Sequence, residues 1–427
     1  MELVVLFGVM FAFMALGAPV FVAMLIAVLV TLFVGDLGSA TVLPSQMAAG
    51  VDSYELLAIP FFILMGELMY RAGLTERIVD LLMYFLGRVR GGLAYTVVAS
   101  SAFASSVSGS APAAASMIGS AMLPLMGKSG YRREFSAAVT VSSAVLGPVF
   151  PPSVPFIFVA LVTGLSVGQL FLGGVGPAII MVIGLLLTVY LMAPKGRTPE
   201  VGDLARYRER SLGVLGLRAL PSLLTPLLIL VGVVSGFATI TEVSILACLY
   251  VLVLGFIYRT LTPRGLLDVF RHTAQFGATI LMIFAAVGGF TYVVATLRLG
   301  EDVSAFVERA NMGPLVFLLA TMIFFIILGL IMDAIPAILI FLPVLLPAAI
   351  DLGIDPVHYS VAVVVNLMMG LITPPVGALL YVVTKLARVD FGGLLREIGP
   401  FLAVYGVTLT LVTFLPFIST AIPAALF

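Results

Sequence analysis

Residues 147–153 read Gly-Pro-Val-Phe-Pro-Pro-Ser, and residues 370–375 read Gly-Leu-Ile-Thr-Pro-Pro. One constant offset in numbering relates the glycine and the proline pair of the first stretch to those of the second. The same offset pairs Leu123-Pro124 with Leu346-Pro347 and Gly130 with Gly353 without a gap, and we call residues related by it equivalent. Proline removes a backbone donor and clashes with the preceding turn, so each stretch should interrupt a helix. We therefore predict an internal repeat in which each half carries a broken helix at the equivalent place.

The composition assigns the chain to the membrane. Of its 427 residues, 62% are hydrophobic and 10% are charged, and the mean hydropathy is +1.24. Soluble domains contain about 25% charged residues. This excludes a soluble enzyme, a disordered protein and a nucleic-acid-binding protein. The first basic residue is Arg71, so we expect no secretory signal peptide and predict an all-α polytopic membrane protein.

Apolar stretches between the clusters of basic residues predict about ten transmembrane helices. They are 2–16, 18–34, 54–70, 135–160, 169–193, 219–236, 241–258, 274–297, 358–384 and 399–423. An outer N-terminus places 19 of the 21 basic residues in the cytoplasm and leaves only Arg298 and Arg309 outside. Cytoplasmic loops carry the excess of Lys and Arg in such proteins. We therefore predict a multi-pass membrane protein with both termini on the outer side, which the family resemblance described below makes the periplasmic side of a bacterial inner membrane.

Two apolar stretches, 92–127 and 313–350, are too long for one crossing and are interrupted near their middle. We predict that each is a re-entrant helical hairpin, the first open to the cytoplasm and the second to the outside, so the repeats are inverted. The predicted organisation is listed here in chain order: a first inverted repeat 1–194 with hairpin 92–127 and broken helix 135–160, a cytoplasmic linker 195–218, and a second inverted repeat 219–427 with hairpin 313–350 and broken helix 358–384. Segments 74–90 and 301–311 are predicted to be amphipathic surface helices.

The chemistry should lie at the hairpin tips and helix breaks, because interrupted backbone at membrane depth survives only beside protein, ion or water. Freed carbonyls suit a small cation, and half-helix N-termini suit an anion. Asp333, at the second hairpin tip, is an ionisable residue that costs at least ~2.5 kcal/mol at membrane depth. It either binds a cation or caps the hairpin helix that begins there. Asn366 and Thr373 either bind a ligand or form interhelical hydrogen bonds, and Ser142 and Ser143 are weaker candidates.

No sequence motif indicates catalysis or a bound cofactor. Gly127-Lys128-Ser129 resembles the end of a phosphate-binding loop, but Met122 stands where the first glycine is required. Neither histidine stands in a cluster of cysteine, histidine and carboxylate residues of the size that a metal site needs. Inverted repeats with interrupted helices are characteristic of secondary transporters. Without a nucleotide site, uphill transport by such a protein must use an ion gradient. We expect a Na⁺-coupled carrier, with no cofactor other than Na⁺ as coupling ion, and H⁺ coupling remains open.

The combination of motifs resembles the large membrane (M) subunit of tripartite ATP-independent periplasmic (TRAP) transporters. The matching strings are Ser108-Gly109-Ser110, Leu146-Gly147-Pro148 with Pro151-Pro152-Ser153, Met332-Asp333 with Pro336-Ala337-Ile338, Asp355-Pro356-Val357-His358, and Asn366-Leu367 through Thr373-Pro374-Pro375-Val376-Gly377. The resemblance runs nearly from end to end of the chain.

The resemblance implies an elevator-type carrier that couples Na⁺ entry to uptake of a small organic acid, such as a C4-dicarboxylate or sialic acid. It implies two protein partners, a small membrane (Q) subunit, expected as a separate chain, and a periplasmic substrate-binding (P) protein. The Na⁺ ligands that it implies are Ser106, Ser108, Gly109 and Gly147 for one site and Gly329, Asp333, Gly370 and Thr373 for the other. The substrate-binding residues that it implies are Ser110, Pro152, Ser153, Asn366, Thr373 and Pro374.

Three other functions compete with this interpretation. A stand-alone divalent-anion:Na⁺ symporter would share the inverted-hairpin plan but need no binding protein. A channel uses similar re-entrant loops and conducts without saturation or coupling. A membrane-embedded enzyme needs a nucleophile–base pair or a metal cluster at depth, and the sequence shows neither.

Overall fold

The computed structural model describes residues 1–37, 40–87, 89–193 and 211–427, without the side chains of residues 104–108. The predicted linker 195–218 therefore falls mostly outside the described residues. Within them the chain folds into twenty α-helices and two short 3-10 helices, Ala40–Val42 and Tyr54–Leu57. The predicted all-α class is confirmed.

The first half of the chain contains ten α-helices among the described residues. They are α1 Glu2–Ala15, α2 Val20–Gly35, α3 Leu43–Val51, α4 Ala58–Arg71, α5 Leu74–Leu86, α6 Gly92–Ser108, α7 Ala111–Lys128, α8 Arg133–Ala144, α9 Val154–Thr163 and α10 Val167–Met192. Helices α6 and α7 pack against each other and form the first hairpin. Helices α8 and α9 are the two halves of the first broken helix.

The second half, from Leu212 onward, contains ten more. They are α11 Leu212–Val234, α12 Ile240–Ile257, α13 Pro263–Thr296, α14 Leu299–Arg309, α15 Pro314–Ile331, α16 Ala334–Asp351, α17 Pro356–Gly370, α18 Ala378–Ala387, α19 Phe391–Phe414 and α20 Phe417–Leu426. Helices α15 and α16 form the second hairpin, and α17 and α18 are the halves of the second broken helix.

Helices of the first half recur in the second half at the numbering offset seen in the sequence. Helices α7 and α16 begin and end at equivalent residues, and α8 and α17 also begin at equivalent residues. Gly130 and Gly353, which follow α7 and α16, have φ of +75° and +76°. The same backbone thus recurs at equivalent places in the two halves.

Each hairpin packs on helices from both halves of the chain. Helices α6 and α7 contact α8, while α15 and α16 contact α17. In addition, α7 contacts α18 and α16 contacts α9. The first contact is tight, because a Cβ on Gly119 would lie 2.6 Å from Cδ2 of Leu386. Each hairpin therefore holds the far half of the opposite broken helix, and the two breaks share one helical body.

A second group of helices packs beside this body. Helix α13 contacts α2, α3 and α4, and α12 contacts α4. The approach of α3 to α13 depends on two glycines, since a Cβ on Gly288 would lie 2.3 Å from the carbonyl oxygen of Gln46 and one on Gly50 2.7 Å from that of Phe284. Small residues that allow close backbone approach are typical of helix interfaces in membranes.

Seven of the described helices are long and apolar enough to cross a membrane, or eight if the bent pair Ala40–Val51 and Tyr54–Arg71 forms one span. The remaining apolar helices have 10–17 residues, as expected for half-helices and tilted or paired elements. The protein is thus a multi-span membrane protein, and the number of ten crossings stays a prediction.

Two predicted spans were wrong in extent. The span 399–423 is not one helix, because α19 ends at Phe414 and a new helix, α20, begins after its N-cap residue Pro416. The span 274–297 belongs to a helix that begins at Pro263, since the polar residues before 274 remain helical. Part of the predicted linker is also helical, because Ser211 caps the N-terminus of α11 and accepts a hydrogen bond from the Val214 amide.

Candidate functional site

The two hairpin tips are short connections with equivalent caps. After α6 ends at Ser108, Gly109 adopts φ of +59°, which favours glycine, and Ser110 caps α7 by accepting a hydrogen bond from the Ala113 amide at 3.4 Å. At the second tip, Asp333 caps α16, and its Oδ1 accepts a hydrogen bond from the Ala334 amide at 2.8 Å. Ser110 and Asp333 occupy equivalent positions in the two halves.

The capping role proposed as the alternative for Asp333 is therefore present in the structure. It occupies only one carboxylate oxygen, because Oδ2 has no hydrogen-bond donor among the described residues. The side chain is exposed between buried Met332 and Ala334. A carboxylate that caps with one oxygen and presents the other can still bind a cation.

The two helix breaks differ in burial. The first, residues 145–153, is buried throughout except at half-buried Phe150, and the Ser153 hydroxyl donates to the carbonyl oxygen of Pro148. In the second, residues 371–377, Pro374 is half-buried and the Thr373 hydroxyl donates to the Met369 carbonyl oxygen at 2.7 Å. Both hydroxyl protons are thus used locally, and both hydroxyl oxygens can still accept a hydrogen bond or ligate a cation.

Gly329 and Gly370 bring the second hairpin into backbone contact with the second break. A Cβ on Gly370 would lie 2.6 Å from Cα of Gly329, and a Cβ on Gly329 would lie 3.0 Å from the carbonyl oxygen of Leu367. No larger residue fits either position without a shift of the backbone. The structure thereby brings together two of the four residues assigned to the second Na⁺ site, where the C-terminal ends of α15 and α17 meet. The last carbonyl groups of a helix lack partners within the helix and suit a cation. In α17 the carbonyl oxygen of Gly370 accepts one hydrogen bond, from the Thr373 amide of the break, which leaves this oxygen a second lone pair for a ligand.

The first tip contacts the first break in a comparable way. A Cβ on Gly109 would lie 2.2 Å from Cγ2 of Val154, the first residue of α9, and 3.2 Å from the Val154 amide nitrogen. Gly147 is buried within the break. Ser106 and Ser108 lie in the last turn of α6, and their side chains fall outside the described residues. No local pattern in the sequence indicated the contact with Val154.

Buried polar atoms without a partner cluster just before the two breaks. The Asn366 amide nitrogen donates to the Met322 carbonyl oxygen at 2.6 Å, which fixes the orientation of the amide and leaves Oδ1 without a donor among the described residues. Ser143, at the equivalent position of the first half, is fully buried, and its hydroxyl has no partner there either, nor has that of Ser142. Such a group costs about 1–3 kcal/mol unless water or a ligand satisfies it.

The arrangement offers ligands for cations and for an anion. Backbone carbonyls and hydroxyl oxygens lie at the breaks and one carboxylate lies at the second hairpin tip, and these are oxygen ligands of the kind that hard cations prefer. The N-termini of α9 and α18, at the ends of the breaks, are suited to an anionic group. Sequence reasoning missed Met322, the partner of Asn366, because nothing local marks a contact that joins residues on different helices.

Comparison with known proteins gives a match over nearly the whole chain. The family described as "Tripartite ATP-independent periplasmic transporter, DctM component" matches residues 7–418. The sialic acid TRAP transporter large permease protein SiaM of Vibrio cholerae is 33% identical over 97% of this chain and 96% of its own length. The C4-dicarboxylate TRAP transporter large permease protein DctM of Pseudomonas aeruginosa is 34% identical over 87% of both chains. The isethionate TRAP transporter permease protein DctMQ of Oleidesulfovibrio alaskensis is 31% identical over 96% of this chain and 65% of its own length.

The fold also resembles a solved structure. The YdaH transporter of Alcanivorax borkumensis superposes with a TM-score of 0.63 over 87% of this chain and 86% of that chain, at 15% sequence identity. At that identity the likeness concerns the fold alone.

Proposed function

The chain belongs to the family of TRAP transporter large permease (DctM) components and is a membrane transport protein rather than an enzyme, and from this premise we propose that it drives uptake of a small organic acid with a Na⁺ gradient. The observation that carries the proposal is the backbone contact of Gly329 with Gly370, where the C-terminal ends of α15 and α17 meet. The partial negative charge of two helix C-termini favours a cation over an anion, and Asp333 at the tip of the same hairpin presents a further carboxylate oxygen.

We further propose that the two halves are inverted repeats and that transport follows an elevator mechanism. The equivalent boundaries of α7 and α16 support a repeat, and the distribution of basic residues supports opposite orientations. The hairpins and broken helices would move as the body described above. Helices α3, α4, α12 and α13 pack beside it and would form the scaffold against which it slides.

The proposed substrate is a small organic acid anion, such as a C4-dicarboxylate or sialic acid, since the relatives named above are transporters of such acids. Its carboxylate would lie at the N-termini of the half-helices. The residues proposed to hold it lie at the tip of the first hairpin, at the two breaks or, for Asn366, in α17 just before the second break: Ser110, Pro152, Ser153, Asn366, Thr373 and Pro374. Buried Asn366 would place its unpartnered oxygen toward a substrate hydroxyl or bound water.

Two protein partners complete the proposal. A periplasmic substrate-binding protein would deliver the acid, and a small membrane subunit would join this chain as a separate polypeptide. One relative, which is longer than this chain, is named DctMQ. Its name indicates that the two membrane components are joined there in one protein. In the proposed transporter these are distinct chains, and Na⁺ is the only other component required.

Reconstitution tests the coupling. The purified chain with its small subunit, in proteoliposomes supplied with the binding protein loaded with radiolabelled acid, should accumulate the acid when Na⁺ is imposed outside. Replacing the Na⁺ gradient by an equal K⁺ gradient should abolish accumulation. A pH gradient that drives accumulation equally well without Na⁺ would contradict the proposal and assign H⁺ as the coupling ion.

A further inference from the structure

A cavity lies at the end of the first hairpin that is remote from the hairpin tip. It has a volume of about 670 Å³ and lies where the end of α7, the first turn of α8 and the end of α18 meet. Leu123, Pro124 and Leu386 form an apolar wall on one side. Three basic residues, one from each of the three elements, line the other side: Lys128, Arg133 and Arg388.

None of these three cations is neutralised by a described residue. All three side chains are exposed, and none makes a hydrogen bond or ion pair in the part of the chain that the structure describes. The residues that line the cavity there include no acidic side chain. The hydroxyls of Ser120 and Ser136 donate to nearby backbone carbonyl oxygens, so they bring no competing negative charge.

Three carboxylates lie on neighbouring residues but do not line the cavity. Glu397 forms a two-pronged ion pair with Arg132, with distances of 2.7 and 3.1 Å. Asp390 caps α19 by accepting a hydrogen bond from the Gly393 amide at 3.2 Å, and Glu134, in the first turn of α8, packs against Gly393. The lining itself therefore carries positive charge without an acidic side chain.

The N-terminus of α8 adds to that potential. Arg132 occupies the N-cap position, and its side chain makes no capping hydrogen bond. It therefore does not satisfy the free amides of the first turn of α8. Partial positive charge at a helix N-terminus attracts anions, and Arg133 begins the helix at this point.

The corresponding end of the second hairpin has the opposite charge. Asp351 is the equivalent of Lys128 and accepts a hydrogen bond from the Ser304 hydroxyl at 2.9 Å. The cavity beside it, of about 680 Å³, is lined by Glu301 and Glu308 as well. The repeated fold therefore does not by itself make a cavity at the base of a hairpin basic. The three cations at the base of the first hairpin need a separate explanation.

We propose that the cavity formed by Lys128, Arg133 and Arg388 binds a phosphate group, carried either by an anionic phospholipid or by a soluble phosphate. Two or three cations around one cavity match the charge of a phosphate, and the apolar wall can accommodate the first carbons of an acyl chain. A phosphate bound there would join α7 of the first hairpin to α18 of the opposite half. It would thus stabilise the hairpin against the half-helix with which it packs.

The test uses the purified complex of this chain with its small subunit in detergent, and it compares three variants with the wild type. The double variant Lys128→Gln/Arg388→Gln removes two cations that have no partner among the described residues, so the fold should be retained. Arg133→Gln removes the third. Arg264→Gln, an exposed arginine at the N-terminus of α13, is the matched control because it also lies at a helix end but outside the cavity.

The apparent affinity is read from the midpoint of thermal unfolding during titration with phosphatidylglycerol, phosphatidylcholine or inorganic phosphate at constant ionic strength. Phosphate also stabilises proteins without binding at a site. Binding at this cavity is therefore recognised by the difference in stabilisation between the wild type and the variants. Each removed cation should weaken binding about tenfold, the scale of one charged hydrogen bond, while Arg264→Gln should bind like the wild type.

The outcome separates the two sources of the phosphate group. Stabilisation by phosphatidylglycerol alone that is lost in the double variant supports a lipid headgroup site. Stabilisation by both phosphatidylglycerol and inorganic phosphate, lost in the double variant, supports a site open to soluble anions. Equal responses of the wild type and the double variant to all three probes would overturn the proposal.

Discussion

Asp333→Asn is expected to raise the Na⁺ concentration that half-saturates transport by at least about tenfold, the lower range of a charged contact of about 1–3 kcal/mol. Asparagine keeps the shape of the side chain and its carbonyl oxygen can still accept the hydrogen bond from the Ala334 amide. Asparagine is also a good N-cap. The substitution therefore preserves the cap of α16 and removes only the charge at the second hairpin tip.

Uptake measured against external Na⁺ should collapse at low Na⁺ and recover in part at high Na⁺. Asp390→Asn is the matched control, since Asp390 also caps a helix with its carboxylate but lies at the start of α19, away from both breaks. That variant should keep the Na⁺ dependence of the wild type. An unchanged half-saturating Na⁺ concentration in a well-folded Asp333→Asn protein would exclude the ligand role and leave the capping role alone.

Omission of the binding protein is expected to reduce uptake of micromolar substrate by at least about 100-fold. A docked binding protein presents its ligand at an effective concentration in the millimolar range, which a free substrate does not reach. The side of the protein proposed to face the periplasm adds a second barrier, because its cavity carries Glu301, Glu308 and Asp351 against one cation, Arg298, among the described lining residues. These carboxylates repel a free organic acid anion.

The measurement is initial uptake in proteoliposomes under a fixed Na⁺ gradient, with and without the binding protein. A binding protein for an unrelated ligand, loaded with its own ligand, controls for nonspecific effects. Saturable Na⁺-driven uptake of the free acid by the two membrane subunits would contradict the expectation and would favour a stand-alone divalent-anion:Na⁺ symporter.

The elements that could be predicted from the sequence are those that glycine and proline define locally. The cap at Asp333 and the breaks at Gly147 and after Gly370 lie where the sequence predicts them. Proline restricts its own backbone, and glycine permits conformations that other residues avoid. The positions of these residues therefore indicate directly where a helix is interrupted.

Contacts between distant helices could not be predicted in this way. The approach of Gly329 to Gly370 and the hydrogen bond from Asn366 to Met322 join residues that lie on different helices and far apart in the chain. Which face of α15 meets α17 depends on packing over the whole body, and uniformly apolar helices carry no amphipathic pattern that would reveal it. Helix α3 and the division between α19 and α20 were missed although Pro44 and Pro416 stand at the starts of α3 and α20, because prolines also occur inside other helices of this chain.

Equilibrium binding of Na⁺ to the purified protein tests the central claim most directly, with Gly370→Ala compared with Gly399→Ala. A Cβ on Gly370 would lie 2.6 Å from Cα of Gly329, which forces the second hairpin away from the break, whereas a Cβ on Gly399 meets nothing within 4 Å. Isothermal titration calorimetry should detect Na⁺ binding by the wild type and by Gly399→Ala, and at least about tenfold weaker binding by Gly370→Ala, because backbone ligands of a cation tolerate little displacement. Equal Na⁺ affinity in all three proteins would contradict a Na⁺ site between the second hairpin and the second break.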